Sequence, residues 1–276
     1  HTSACNLRCP MCSQADFPPV QRAPAAEAAH FLDEVLHGVT VWVPSATSEP
    51  LLNDVDAMIE MCRRHRVFID LITNVTLLTP ALMDRLVPHL YRLTLSIDSC
   101  VPEVFEQVRR PAKWAKTLPH IEYAMRHARA ELIACVIHAV LMAETAPHLP
   151  ALVEFVADHG GFELTVLQEL PNASGSDARD VRHLGAEALA RIIATTRERA
   201  MARGVNLTLR IPGREGGRFL AAEHQLRISE ALVVDALQDR LAVETAGYCP
   251  HVGHYLKVEP DGDAYPCCRG PRELLL

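Results

Sequence analysis

Cys5-Asn6-Leu7-Arg8-Cys9-Pro10-Met11-Cys12 sets three thiols in Cys-x3-Cys-x2-Cys spacing at the start of a 276-residue chain. This spacing brings three thiolates to one point and supplies no fourth. A cubane iron–sulfur cluster usually takes four cysteine ligands. Held by three, one iron keeps an open coordination position, and an open position lets a metal do chemistry rather than hold a fold. Two other readings stay open on these residues alone. Cys9 and Cys12 suit half of a structural zinc site, with the other half drawn from Cys249, Cys267 or Cys268. Alternatively, the three are unrelated buried thiols, although Asn6, Arg8 and Pro10 are poor company for a core segment.

Beyond this octet, apolar runs suited to buried parallel strands alternate with helical patterns. The strands are expected at 39–43, 67–73, 90–96, 132–141 and 163–167. Helices are expected at 30–37, 55–64, 80–86, 102–126 in two parts, 148–158 and 186–203. Asn53 is the expected cap of the second helix, Gly160-Gly161 closes the fifth, and 23–29 reads as an alanine-rich linker. Strand, helix, strand repeated in this way gives an α/β fold with a parallel sheet and helices outside it. Chemistry then belongs at the carboxyl ends of the strands. Residues 205–211 suit either a further strand or a connector, 213–217 a loop, and 219–241 a helix. Asp261-Gly262 between apolar runs predicts a hairpin turn.

Composition narrows the function classes. Net charge is −7, with no long basic run, so binding nucleic acid through a basic face is not expected. The most apolar stretch, 132–143, is too short for the ~20 residues a bilayer needs and contains His138. Nine cysteines, an odd number with the densest group in metal-type spacing, read as a reducing compartment and a cytoplasmic protein. The start at His1 without Met and the stop at Leu276 read as a fragment of a longer chain.

The octet resembles the cluster loop of radical S-adenosylmethionine (radical SAM) enzymes. The resemblance implies a partial (β/α)6 barrel over 1–211, with a first strand mostly missing before Cys5. It also implies a [4Fe–4S] cluster on Cys5, Cys9 and Cys12, whose unique iron chelates SAM. One electron then cleaves the sulfonium to a 5′-deoxyadenosyl radical that abstracts a substrate hydrogen, with the electron supplied by a donor such as flavodoxin or ferredoxin. The cofactor does the hard chemistry, and the protein orients it and keeps water out.

Four further motifs carry the resemblance. Glu49-Pro50-Leu51 resembles the family's Glu-Pro-Leu loop, whose carboxylate accepts from the SAM ammonium; Ala46 and Ser48 stand where the family has glycines. Thr73-Asn74-Val75-Thr76 is similar to a Thr-Asn-Gly-Thr turn with its glycine replaced, and Asn74 is expected to hold the loop or reach the cofactor. Ser96 and Asp98 share one side of a strand and are assigned to the ribose diol, with helix capping the alternative for Asp98. Arg109, beside Arg110, resembles the arginine that meets the SAM carboxylate. Met11 stands where the family puts an apolar residue against adenine.

Near the carboxyl terminus, Cys249, Gly262 and Cys267 resemble the opening of the SPASM or twitch extension, the site of an auxiliary iron–sulfur cluster, with Cys268 a further candidate ligand. The expected division is therefore a barrel over 1–211, a helical connector over 212–245 and a small cysteine-bearing β-hairpin extension over 246–276. Substrate class divides three ways: a peptide, a natural-product small molecule, or none, in a non-catalytic homologue that binds a partner or metal.

Overall fold

The architecture comes from a computed structural model that describes residues 2–12, 20, 22–44, 48–161, 163–168, 179–210, 217–219, 257–258 and 264–265. In chain order the elements are α1 (Ala25–Val35), β1 (Val41–Trp42), α2 (Val55–His65), β2 (Phe68–Thr73), α3 (Pro80–Leu86), β3 (Leu90–Ser96), α4 (Pro102–Val108), α5 (Trp114–Ala130), β4 (Ala134–Leu141), α6 (Leu149–Asp158), β5 (Glu163–Gln168), α7 (Ala186–Arg203), β6 (Asn206–Arg210) and β7 (Gly217–Phe219). One sheet runs β1 to β7 in sequence order. Strands β1 to β6 pair in parallel and β7 joins antiparallel to β6. The fold is an open α/β sheet of six parallel strands, as expected of a partial barrel.

The sixth parallel strand among the described residues is β6, which the sequence left between strand and connector. Gly217 belongs to β7 rather than to a loop. The alanine-rich stretch 23–29 is not a linker: helix α1 begins at Ala25, because alanine has the highest helix propensity. Asp54, not Asn53, caps α2 by accepting from the Ala57 N–H, while Asn53 closes the short 3-10 helix Pro50–Leu52. Helix α6 ends as expected at Gly160, with φ of 76°. Gly161 is there for space, since a Cβ would lie 2.6 Å from Met125 Cε. Lys257–Val258 and Ala264–Tyr265 pair antiparallel, the pairing that Asp261-Gly262 predicts. The segment expected to be helical over 220–241 lies outside the described residues.

Core packing gives the sheet two different faces. Leu95, Ile137, Ala139, Val166 and Leu207 are each at most 1% exposed. Their neighbours Ser96, His138, Val140, Leu167 and Thr208 point the other way and are half-buried. The sealed face follows from burying roughly 1.5–3 kcal/mol of apolar side chain per position. Among the described residues no helix is long and apolar enough to cross a membrane.

Candidate functional site: a cysteine loop held at three places

The cysteine loop is tied to the rest of the chain at three places, after β1, after β2 and after α4. Before β2, Glu49 N donates to Ala4 O at 3.0 Å and Ser48 Oγ to Thr2 O at 3.0 Å. After β2, Asn6, Asn74 and Thr76 close a ring of side-chain hydrogen bonds. Asn6 Nδ2 donates to Thr76 Oγ1 (2.8 Å), Thr76 Oγ1 to Asn74 Oδ1 (2.6 Å), and Asn74 Nδ2 to Asn6 Oδ1 (2.8 Å). After α4, Arg8 N donates to Arg110 O at 2.6 Å. Within the loop, Cys12 N donates to Cys9 O at 3.0 Å, and the Arg8 guanidinium to Cys5 O and Leu7 O.

Cys9 is buried, and Cys5 and Cys12 are half-buried. Two donors face Cys5 Sγ: Leu7 N at 3.4 Å and Asn74 Nδ2 at 3.7 Å. Burial raises the Cys5 thiol and pushes Cys9 up to about 11, the positive charge of Arg109 opposing the second shift. Burial thus favours the protonated form of Cys5 and Cys9, and metal binding must release those protons. Among the described residues no three His, Cys, Asp or Glu side chains converge on a single ion. A cubane cluster differs in giving each thiolate its own iron. Met11 is buried with Leu7 and Cys9 in the apolar cluster beneath the loop.

Glu49 is 2% exposed. Its Oε1 accepts from Thr73 Oγ1 (2.7 Å) and Leu51 N (3.2 Å), and its Oε2 from Asn74 N (2.8 Å). Burial raises its pKa and these three donors pull it back down, without fully reversing the shift. A carboxylate has roughly four acceptor positions, so three bonds leave one for a further donor. Asn74 braces the turn, its Oδ1 accepting from Thr76 N (3.0 Å), while its Nδ2 faces Cys5 Sγ. Val75, standing where the resembling turn has glycine, has φ of 70° and no exposed surface. Positive φ is a genuine outlier for a β-branched residue.

Asp98 and Arg109, expected at different parts of one cofactor, pair with each other. Arg109 Nε donates to Asp98 Oδ2 at 2.5 Å, and Val140 N donates to Asp98 Oδ1 at 2.9 Å. Asp98 is wholly buried and Arg109 is 9% exposed. Asp98 does not cap α4, whose first turn begins at Val101. Burial disfavours the Arg109 charge, but Asp98, Cys9 and Cys12 more than offset this and hold its pKa above the ordinary value. The neighbouring arginines differ in burial: Arg109 is buried, whereas Arg110 is exposed and donates to Gln107 O. Ser96 is half-buried at the end of β3.

Sequence reasoning missed three things. Asn6 and Thr76 lay inside quoted motifs, but their ring is a contact across 70 residues. His138 entered the sequence analysis only as a polar residue within the apolar stretch 132–143. Its cross-strand register carries the missing signal: Ser96, His138, Thr165 and Thr208 stand directly opposite one another across β3 to β6. Cys249, Cys267 and Cys268 lie outside the described residues.

The family profile described as the Radical SAM superfamily matches residues 1–156. The chain belongs to the radical SAM superfamily. Among solved structures, radical SAM likeness extends over nearly the whole chain. SuiB from Streptococcus suis bound to S-adenosylmethionine is 16% identical with a TM-score of 0.63, covering 97% of this chain and 58% of SuiB. The same protein bound to precursor peptide SuiA gives 15%, 0.62, 96% and 57%. The protein anSMEcpe with bound AdoMet and Kp18Cys peptide gives 16%, 0.58, 96% and 72%. At such identities the likeness shows a shared fold. The chain spans 58% of the length of SuiB. No curated protein is significantly similar to it. Radical SAM membership implies an iron–sulfur cluster and SAM as cofactors.

Proposed function

We propose that this chain is a radical SAM enzyme acting on a peptide, with its SAM-binding [4Fe–4S] cluster on Cys5, Cys9 and Cys12. The observation that carries the reading is the placement of the cysteine loop between a buried acid, Glu49, and a buried cation, Arg109 at the end of α4. The donor set fits the group: three thiols within eight residues, no fourth, and two N–H donors already aimed at one of them. When bound, the cluster and SAM supply a carbon radical able to take a hydrogen atom from substrate.

The chain's own residues bind and orient. Glu49 keeps one acceptor position for the SAM ammonium. Arg109 uses only Nε on Asp98 among the described residues, which leaves its terminal NH2 groups for the SAM carboxylate; Arg is suited to that bidentate geometry. Ser96 takes the ribose. Asp98, with both oxygens engaged, serves by orienting Arg109 rather than by reaching the diol alone. Met11 supports the adenine side of the loop. Substrate lies across the more open face of the sheet, where half-buried Ser96, His138 and Thr208 flank a buried Thr165 in one row. A peptide substrate is supported by SuiB and anSMEcpe, fold relatives whose structures hold peptides. Cys249, Cys267 and Cys268 are assigned to an auxiliary cluster, and an external flavodoxin or ferredoxin to electron supply.

The test is anaerobic iron and sulfide quantification with EPR of the reduced protein, before and after SAM. Four or more irons per chain with a SAM-perturbed signal are expected, and Cys9→Ala should lose both that signal and all SAM cleavage. Zinc without iron would overturn the reading. The peptide assignment predicts that 5′-deoxyadenosine release rises with the peptide fraction of a cell extract and not with the same fraction after protease digestion; the reverse would point to a small molecule.

A further inference from the structure

We infer that the Asn6–Asn74–Thr76 ring is a positioning device that aims the Asn74 amide at Cys5 and thereby sets the reduction potential of the cluster; this rests on the proposed function. Asn74 Nδ2 lies 3.7 Å from Cys5 Sγ. An amide rotates freely unless both of its ends are engaged, and here both are. Its oxygen accepts from Thr76 N and Thr76 Oγ1, and its nitrogen donates to Asn6 Oδ1. Those bonds also fix which end of the amide carries hydrogen: Thr76 N is an obligate donor, so the atom facing it must be oxygen. The other end, facing Cys5, must be NH2. Asn6 Nδ2 completes the ring on Thr76 Oγ1, giving that hydroxyl both an incoming and an outgoing hydrogen bond.

The ring therefore joins two elements that move separately in sequence, the cysteine loop through Asn6 and the strand-end turn through Asn74 and Thr76. Its site is half-buried, where such bonds are electrostatically stronger than in water and polarise one another. An N–H aimed at a ligating sulfur withdraws charge and favours the more negative, reduced cluster; hydrogen bonds to sulfur are among the main determinants of cluster potential. Removing the aim should make the cluster harder to reduce without removing any ligand.

The experiment measures the midpoint potential of the reconstituted cluster by EPR-monitored redox titration, without SAM, alongside iron and sulfide content. Thr76→Val deletes the hydroxyl at nearly constant volume, Asn6→Ala opens the ring from the other element, and Thr76→Ser keeps the hydroxyl. The expected result is unchanged iron in all three. In Thr76→Val and Asn6→Ala the potential should move negative by an amount equal to a tenfold change in the reduction equilibrium, about 59 mV for one electron. Thr76→Ser should stay near wild type. An unchanged potential in either ring-opening variant that retains its cluster overturns the inference. A wild-type protein that assembles no reducible cluster overturns the proposed function itself, and the ring's role with it.

Discussion

The two sides of the cysteine loop are anchored by opposite chemistry. On the Cys5 side the anchor is a neutral ring of amides and a hydroxyl, with Glu49 bonding the backbone of the same turn. On the Cys9 side it is a buried ion pair, Asp98 with Arg109, beside a single backbone bond from Arg8 to Arg110. A neutral network fixes direction, because each bond specifies which atom faces which. A buried pair fixes charge, because neither member can lose its partner cheaply. One side aims the ligands, and the other places a permanent cation beside them.

The largest effect should come from breaking the charged side. Asp98→Ala leaves the Arg109 guanidinium buried without its partner and Val140 N without its acceptor, and should cost about 3–5 kcal/mol. Chemical denaturation read by circular dichroism would check this. A loss near zero would mean that Arg109 turns to water and that the pair is not buried as described.

A middle-sized effect sharpens the comparison within the neutral side. Val75 and Val166 are both fully buried, but only Val75 has positive φ. Val166→Gly should lose the full packing of its side chain plus the backbone entropy of glycine in a strand. Val75→Gly recovers about 1–3 kcal/mol of backbone strain and should be the milder substitution by that amount in parallel thermal unfolding. Equal losses would show that the turn tolerates valine without strain.

The smallest effect is a pH dependence. Burial raises the Glu49 pKa above its ordinary 4.5. A carboxyl raised in the folded state favours folding while it is protonated. Its contribution is full below 4.5 and declines as pH rises through the raised value. In the metal-free protein, Glu49→Gln should flatten that decline in unfolding free energy measured across the window; a slope identical to wild type would assign the pH dependence elsewhere.

Much of the site was legible because motifs fall at strand ends, and strand ends can be read from period and punctuation. Glu49, Asn74 and Asp98 were singled out in this way, and Arg109, at the end of α4, by its resemblance alone. Their partners were not. Asp98 and Arg109 are separated by a helix, and only the tertiary course of α4 brings the guanidinium back over the strand end. Asn6 meets Thr76 across a separation of 70 residues, a contact with no local trace. Local rules also failed where tertiary context outweighed them. Position 75 looked wrong for a left-handed turn because valine is, but the turn is over-determined by bonds to Thr73, Asn74 and Leu78 and holds it there. The alanine-rich stretch looked like spacer by composition, yet alanine is what a helix uses when packing asks little of it.

The cysteine loop is made before every partner that gives it its fixed shape. Its octet needs Thr76 for the ring, Arg110 for the backbone latch and Arg109 for the cation, and Arg109 is itself held by an Asp98 that waits for Val140. No nascent chain that lacks β4 can complete this set of contacts. The long sequence separations make the site a late, high-contact-order event. Until β4 has been synthesised, the three thiols lack the contacts that hold the loop in place, and their protection from oxidation falls to the cell rather than to the fold.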